Sequence, residues 1–499
     1  MLEKLSMAVN VVRKDIIFHP DSSRVVARFL YSTDERSRSL IESILNLSEV
    51  GQQQELTRVL RKYAKRHRNI LKIFQKHFQR LTSVLDLMEI DPGTLSDTSK
   101  MLIGSYFTME YSIEAAAFFN PSIVEDPDQS RLSKGEKRII LSFRATGEGH
   151  ISSIVFRSAV IDNDNLITVE PPGRMLNSPE HVRNHVYNKK SFLAKLGEMQ
   201  TFECAAYVVV EQKLTDTFTY EELKRYVDET GRAVALDLPS QVFLQEMMWL
   251  ASSHYEMDFS LDTDISERVI FPIADTEKKG IEDARFVKFR NENNEETYYA
   301  TYTAYDGSSI LPKLLLTRDF YHFSVMPING EIAQNKGMAL FPRKINGKFA
   351  MLCRIDGFNN YIAFSENINV WRKAVMIQSP RYPWEFVQIG NCGSPLETSA
   401  GWLVLTHGVG PMREYVLGAS LFELDNPQNE IGRLDQPLLV PNSKEREGYV
   451  PNVVYSCGAF IHNKSVVIPY AMSDYASTYA VVDLKELLYE LTNNGSLYS

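Results

Sequence analysis

The chain reads as a mainly-β protein with a helical N-terminal region and a helical insertion, and three observations predict this. First, alternating apolar strands recur at Lys137–Thr146, Tyr298–Tyr305, Gly347–Asp356, Gly401–Gly410 and Ser465–Asp474, each with a small turn and a polar residue at its end. The last four are spaced at about 50 to 60 residues, a period of propeller blades rather than of a sandwich. Second, apolar residues between 34 and 85 fall at i, i+3, i+4 and i+7. Third, helical patterns return at Ser191–Met199, Tyr220–Thr230 and Ser240–Ser252, between the first repeat and the second.

Taken in order, residues 15–30 read as short extended segments, and from Thr33 the period turns helical. Asp34 is placed to cap a first helix carrying Leu40, Ile41, Ile44 and Leu45. A second carries Leu56, Val59, Leu60 and Tyr63, and a third carries Ile70, Leu71, Phe74, Phe78, Leu81 and Leu85. Their polar faces hold a basic cluster that includes Arg58, Arg61, Lys62, Lys65, Arg66, Arg68, Lys72, Lys76 and Arg80. No exposed aromatics are interleaved with these bases, so a solvated face or a subunit contact fits them better than a nucleic-acid surface. The character turns to β near residue 110. The expected division is a mostly helical extension over 1–110, a first blade over 111–175, a helical insertion over 176–254 and the remaining blades over 255–499. The insertion is expected to contact the N-terminal helices.

Bulk properties narrow the function. The 499 residues carry a net charge of -9, which gives no global reason to bind nucleic acid or an anionic membrane. No apolar run approaches the ~20 residues that span a bilayer. Residues 1–13 lack the apolar core of a signal peptide. The four cysteines, Cys204, Cys353, Cys392 and Cys457, show no metal-binding spacing and suit a reducing compartment. The expectation is a cytoplasmic protein without a metal site.

The stretch with most chemistry is Gly280-Ile281-Glu282-Asp283-Ala284-Arg285-Phe286. Adjacent carboxylates on an extended segment point to opposite faces, so one alone is expected to face a given cleft. That suits a single general acid held by its neighbours. A solvated salt-bridge turn uses the same letters. If the repeated strands are the innermost of their blades, their ends bring Arg144, Asp306, Arg354, His407 and Tyr470 together near the axis. Taken singly, His407 reads as a turn residue, Arg354 as half of an ion pair, and Trp249, Trp371, Trp384 and Trp402 as core or as sugar platforms. The loop Thr146-Gly147-Glu148-Gly149-His150 opens no helix, so it is a poor nucleotide loop and a better channel-mouth loop.

At this point the motifs resemble those of the family 130 glycoside hydrolases. The similar segments are Phe119-Asn120-Pro121-Ser122 with Ser142-Phe143-Arg144, Gly280 to Arg285, Ala339 to Lys348, Thr406-His407-Gly408-Val409, Tyr415 to Ala419, and Glu447 to Val454. They cover about 115–170 and 270–480 and leave the N-terminal helices and the insertion outside, which marks a long variant. The resemblance implies a five-bladed β-propeller that acts on β-mannosides as a phosphorylase or a mannosidase. It implies Asp283 as proton donor, acting through a hydroxyl of the bound mannosyl unit, with Glu282 and Arg285 as its positioning shell. Asn120, Arg144 and Asp306 fall on the sugar side. Lys336, Arg354, His407 and Tyr415 fall where phosphate is bound. No cofactor is implied, and inorganic phosphate is the co-substrate.

The chain departs from the pattern in places. Ala284 stands where proline is common, Lys336 where arginine is common, and Asn391-Cys392-Gly393-Ser394-Pro395 replaces a Gly/Pro-rich run. The last departure leaves the nucleophile open. Phosphate needs cations and donors but no base. Water needs a second carboxylate, for which Glu148 and Glu397 are the candidates. A third alternative is a non-catalytic propeller that binds glycans or proteins. A homo-oligomer in which a neighbour's helices close the site is a further expectation.

Overall fold

The computed structural model describes residues 9–182, 186–199, 204–233 and 237–493. The protein is mainly β. All five repeated segments contain strands: Lys137–Thr146, Glu296–Tyr305, Phe349–Cys353, Gly401–Val409 and Ser465–Met472. Each is the second strand of its meander, not the first. The first strands are Ala117–Glu125, Gly280–Arg290, Ala339–Leu340, Gln388–Asn391 and Val454–Tyr455. Three of them are very short and the other two are bent, so they show little period in sequence.

The first two meanders form one 11-stranded sheet, joined where Gly280 pairs in parallel with Ser152. Only glycine fits that junction. Gly280 has φ 135, and a Cβ there would lie 2.5 Å from Ser152 Oγ and 2.9 Å from its backbone nitrogen. A four-stranded sheet follows over 339–378, then five-stranded sheets over 388–433 and 454–483. The last sheet is completed by the N-terminal strand Val11–Arg13, which pairs with Ala476–Asp483. Among the described residues no sheet closes on itself.

The N-terminal helices are Asp34–Leu45, Glu49–Tyr63, Ile70–Gln79, Thr82–Leu87 and Asp97–Tyr106. The first is capped by Thr33, not Asp34: its side chain accepts from the Arg36 backbone. The expected third helix is two, broken around Leu81, which is fully buried with Ile41, Phe78 and Ile103. Much of the basic cluster is paired. Arg58 pairs with Glu55, Arg66 with Glu110, and Arg68 with both Asp262 and Glu267, while Arg80 stacks on Phe29.

The insertion carries helices Lys189–Met199, Ala205–Lys213, Tyr220–Ala233 and Leu238–Ala251 around a core of its own that includes Phe192, Leu196, Phe243 and Met247. The second of these escapes periodicity because Val208-Val209-Val210 reads as strand. Trp249 packs against the second meander's core and bonds the Asp306 side chain, so it is neither a free platform nor core alone. Among the described residues no helix is long and apolar enough to cross a membrane.

A buried ion pair supports the strand that carries the site. Glu277, three residues before Gly280, accepts from Lys313 at 2.7 Å, from the hydroxyls of Tyr302 and Tyr255 at 2.8 and 3.0 Å, and from the Ile273 backbone at 3.1 Å. Both charged side chains have no exposed surface. Lys313→Met is expected to destabilise the fold by ~3–5 kcal/mol, because it strands a buried carboxylate. Urea unfolding measures this, and pairing it with Glu277→Gln should restore part of the loss. A midpoint unchanged in Lys313→Met would contradict the reading.

Candidate active site

Two consecutive first strands are bent at the same point. In Gly280–Arg290 the register against Glu296–Tyr305 slips between Glu282 and Arg285, and Asp283 has φ 54. In Ala117–Glu125 it slips between Phe119 and Ser122, and Asn120 has φ 49. Asn and Asp are the non-glycine residues that enter this left-handed region most readily, and such bulges re-aim side chains. The result corrects the expectation that only one carboxylate of the pair faces the cleft. Both meet the same guanidinium: Arg144 Nη2 lies 2.7 Å from Glu282 Oε1, and Nη1 lies 3.4 Å from Asp283 Oδ1.

Asn120 Nδ2 donates to Asp283 Oδ1 at 2.7 Å, so the two bulges hold each other. Lys336 Nζ reaches Glu282 Oε2 at 2.6 Å. Burial pushes the Asp283 carboxyl up, but Arg144, Arg285, the Asn120 amide and Lys336 outweigh it and hold the group below the usual carboxylate range. At neutral pH the unliganded protein therefore carries Asp283 as an anion.

Beside this cluster lies a group of buried polar side chains. Arg285, two residues on from Asp283, is buried and donates from Nη2 to Tyr455 Oη at 2.7 Å. Arg354 follows Phe349–Cys353, and its guanidinium bonds the Gly357 carbonyl. His407 is fully buried, with Cys392 Sγ 3.7 Å from Nδ1 and the Tyr415 and Tyr455 rings at 6.0 and 5.0 Å. Burial, then Arg354 and Arg285, push His407 well below its ordinary value, so the imidazole is neutral. Glycines let these groups gather. A Cβ on Gly390 would sit 2.3 Å from His407 Cε1 and 2.9 Å from Arg354 Cδ, and one on Gly337 would sit 3.0 Å from Arg354 Cδ. Arg285 Nε, Arg354 Nε and His407 Nε2 are buried with no protein partner among the described residues. Leaving three such atoms unmatched costs ~1–3 kcal/mol each.

The remaining expected residues lie elsewhere or are already engaged. Lys336, expected on the phosphate side, is paired with Glu282. Asp306 accepts from the backbones of Ser308 and Ser309 in its own turn. Tyr415 accepts from Gln388 Nε2 at 3.4 Å and stacks on His407. Tyr470, expected near the axis, is core, and its hydroxyl donates to Glu445 at 2.6 Å. Glu397 is paired with Arg343 at 2.7 Å, and Glu148 is an exposed loop residue. Trp371 and Trp402 are fully buried, while Trp384 packs against Gly408 and Gly418.

Two site residues escaped the sequence reading, Tyr455 and Asp474. Asp474 ends the last repeated segment, where the sequence pattern points to Tyr470 as the strand-end residue. Burial and the charge of Asp283 push its carboxyl to about 6, against the pull of Arg144 and Arg413. A raised value means that the folded state binds this proton more tightly than the unfolded chain. That contribution is complete below the unfolded value of 3.8 and is lost as pH rises through about 6. Asp474→Asn should therefore raise the thermal midpoint by a few degrees at about pH 8 and leave it unchanged at about pH 4. A shift that is equal at both pH values would show that the charge of Asp474 is not the cause.

A bulged strand presenting paired carboxylates beside buried cationic side chains, on a mainly-β scaffold, is an arrangement suited to an enzyme that moves a proton beside an anion. Comparison with known proteins gives the class as carbohydrate-active. The family profile described as beta-1,4-mannooligosaccharide phosphorylase matches residues 260–493. That stretch holds Asp283, Lys336, Arg354, His407, Tyr415 and Asp474 but not Asn120 or Arg144. A 1,2-beta-oligomannan phosphorylase of Thermoanaerobacter sp. (strain X514) is 32% identical over 216 residues, which is 42% of this chain and 71% of that protein. A beta-1,2-mannobiose phosphorylase of Listeria innocua is 28% identical over 244 residues, 47% of this chain and 65% of that protein. A beta-1,4-mannooligosaccharide phosphorylase of Ruminococcus albus is 28% identical over 181 residues, 34% of this chain and 54% of that protein. The chain belongs to glycoside hydrolase family 130, whose members are enzymes acting on β-mannosides.

Proposed function

We propose that the protein is an inverting β-mannoside phosphorylase that releases mannose 1-phosphate, with Asp283 as proton donor and the five meanders as blades of a five-bladed β-propeller. The observation that carries the reading is the pair of buried guanidinium donors without a protein partner, Arg285 Nε and Arg354 Nε, beside the buried neutral His407. They suit an anionic nucleophile, and two guanidiniums close enough to repel each other gain most from a dianion between them. Phosphate oxygen attacks the anomeric carbon, the glycosidic C–O bond breaks on the opposite face, and the leaving oxygen takes a proton that originates at Asp283 and passes through a mannosyl hydroxyl. Asp283 is ionised in the unliganded protein, so it must first gain that proton. Phosphate bound beside Arg285 offsets part of the positive field that holds the carboxyl low, so the two substrates together prepare the acid. Asn120 and Arg144 orient Asp283 and line the sugar side. No cofactor enters the reading. It includes a cytoplasmic location, supported by thiols at Cys353, Cys392 and Cys457 that are all buried and unpaired.

A second reading keeps the substrate and makes water the nucleophile. Asp474 favours it, as a carboxyl near pH 6 beside an ionised Asp283 is the divided pair that acid–base chemistry uses. One assay separates the two: β-1,2- and β-1,4-mannooligosaccharides are incubated with and without inorganic phosphate. Phosphate-dependent release of mannose 1-phosphate is expected. Cleavage at an equal rate in phosphate-free buffer would overturn the phosphorylase reading in favour of the mannosidase.

A further inference from the structure

The proposed reaction leaves one charge of the site without a part, that of Lys336. An ion pair whose lysine is 43% exposed holds little by itself. Here, however, the backbone under the lysine is fixed on every side. Lys336 N donates to Asn335 Oδ1 at 2.8 Å. The next carbonyl, that of Gly337, accepts from Asn391 Nδ2 at 2.7 Å, and Asn391 is fully buried. The Met338 carbonyl accepts from Thr301 Oγ1. The loop has no room to shift toward Arg354, since a Cβ on Gly337 would already lie 3.0 Å from Arg354 Cδ. From this clamped position the ammonium reaches Glu282. Each oxygen of Glu282 is thereby covered by a cation: Oε1 lies 2.7 Å from Arg144 Nη2, and Oε2 lies 2.6 Å from Lys336 Nζ. Asp283 takes Asn120 and Arg144 on Oδ1 alone, and its Oδ2 accepts no hydrogen bond from a described residue. A proton therefore finds an open oxygen on Asp283 and none on Glu282.

We propose that Lys336 is a positioning residue of the carboxylate pair, held to Glu282 by the Asn391 clamp on its loop, and that it takes no part in binding phosphate. This rests on the reading of Asp283 as proton donor and assigns the group that singles it out from Glu282. Asp283 is faced by Glu282 and Arg285 from its own strand, by Arg144 from the first meander and by Lys336 from the loop before the third. Tyr455, Cys457 and Asp474 face it from the last meander. Among these, Lys336 is one of the cations that hold the Asp283 carboxyl low, so removing its charge raises that carboxyl. Activity needs the protonated acid and falls as pH rises through its value. The alkaline limb of the pH profile therefore moves to higher pH when the lysine is lost.

The test records kcat/KM against pH for the β-1,2- or β-1,4-mannooligosaccharide that is cleaved, at saturating phosphate, together with the phosphate KM. It compares the full-length protein with Lys336→Met, Lys336→Arg and Asn391→Ala. The ionisation of phosphate itself is common to all of them and cancels. Lys336→Met should move the alkaline limb up by about one pH unit and change the phosphate KM by less than about threefold. Lys336→Arg keeps the charge and should keep the limb. Asn391→Ala retains the lysine but frees its loop, and should move the limb the same way as Lys336→Met. A limb unmoved in Lys336→Met, a limb moved equally in Lys336→Arg, or a larger rise in phosphate KM overturns the proposal and leaves the phosphorylase activity standing. A limb moved in Lys336→Met but not in Asn391→Ala overturns the part given to Asn391. If cleavage is independent of phosphate, the phosphorylase reading fails and the limb alone decides. If no mannoside is cleaved, the proposed activity itself fails, and carbon-13 titration of the Asp283 carboxyl decides: a value raised in Lys336→Met upholds the role of Lys336, and an unchanged one overturns it.

Discussion

Asp283→Asn is expected to cut release of mannose 1-phosphate by about a thousandfold, the scale of losing a positioned acid, while the mannoside still binds. Asparagine is the substitution that isolates chemistry from folding. Asp283 sits at φ 54, a conformation that asparagine adopts readily and alanine does not. The new amide oxygen still accepts from Asn120 Nδ2, and Arg144 keeps its 2.7 Å bond to Glu282. What is lost is the titratable proton and one negative charge beside Arg144 and Arg285. Chromatography of the sugar phosphate measures turnover, and calorimetry with the mannoside measures binding. Activity retained to within about threefold would move the donor role elsewhere, and Asp474 would be the first residue to test, by Asp474→Asn.

The contrast between Asp283 and Asp474 shows what could be read ahead of the fold. Asp283 stood out because two adjacent acids and an arginine share seven residues. Arg354 and His407 stood out because they end repeated strands. The repeat itself was legible because most of these second strands are long apolar runs: Lys137–Thr146, Glu296–Tyr305, Gly401–Val409 and Ser465–Met472 have eight to ten residues each. The first strands were not legible. Ala339–Leu340 and Val454–Tyr455 are two residues long, and the bulges at Asn120 and Asp283 break the period that a pattern would need. Those same bulges turn Glu282 and Asp283 onto one guanidinium, which simple alternation forbids. Asp474 was missed for a related reason. It lies in the left-handed turn after Ser465–Met472, two residues past the last ladder pair, where Tyr470 looked like the end of the strand. Tyr470 alternates inward and is core. The basic face of the N-terminal helices was readable as a solvated surface, but its cross-link through Arg68 to Asp262 and Glu267 depends on residues about 200 apart in sequence, which no local pattern carries.

The second large effect is expected at Arg354. Arg354→Ala should raise the phosphate KM about a hundredfold or more, as two charge-assisted hydrogen bonds at ~1.5–3 kcal/mol each would lose their donor, with the mannoside KM changed little. Arg354→Lys should not restore it. The guanidinium is held by the Gly357 carbonyl, its Cδ is hemmed in by Gly337 and Gly390, and its Nε is buried without a protein partner, and a lysine ammonium cannot reproduce a planar fork in that slot. Gly390→Ala supplies an independent check that leaves every charge in place. Its Cβ would fall 2.3 Å from His407 Cε1 and 2.9 Å from Arg354 Cδ, so both side chains must move and the donors lose their common focus. It should weaken phosphate in the same direction as Arg354→Ala. Initial rates over a matrix of phosphate and mannoside concentrations separate the two constants. A rise confined to the mannoside KM in both variants would place Arg354 on the sugar side, and the anion would then have to sit against Arg285 and His407 alone.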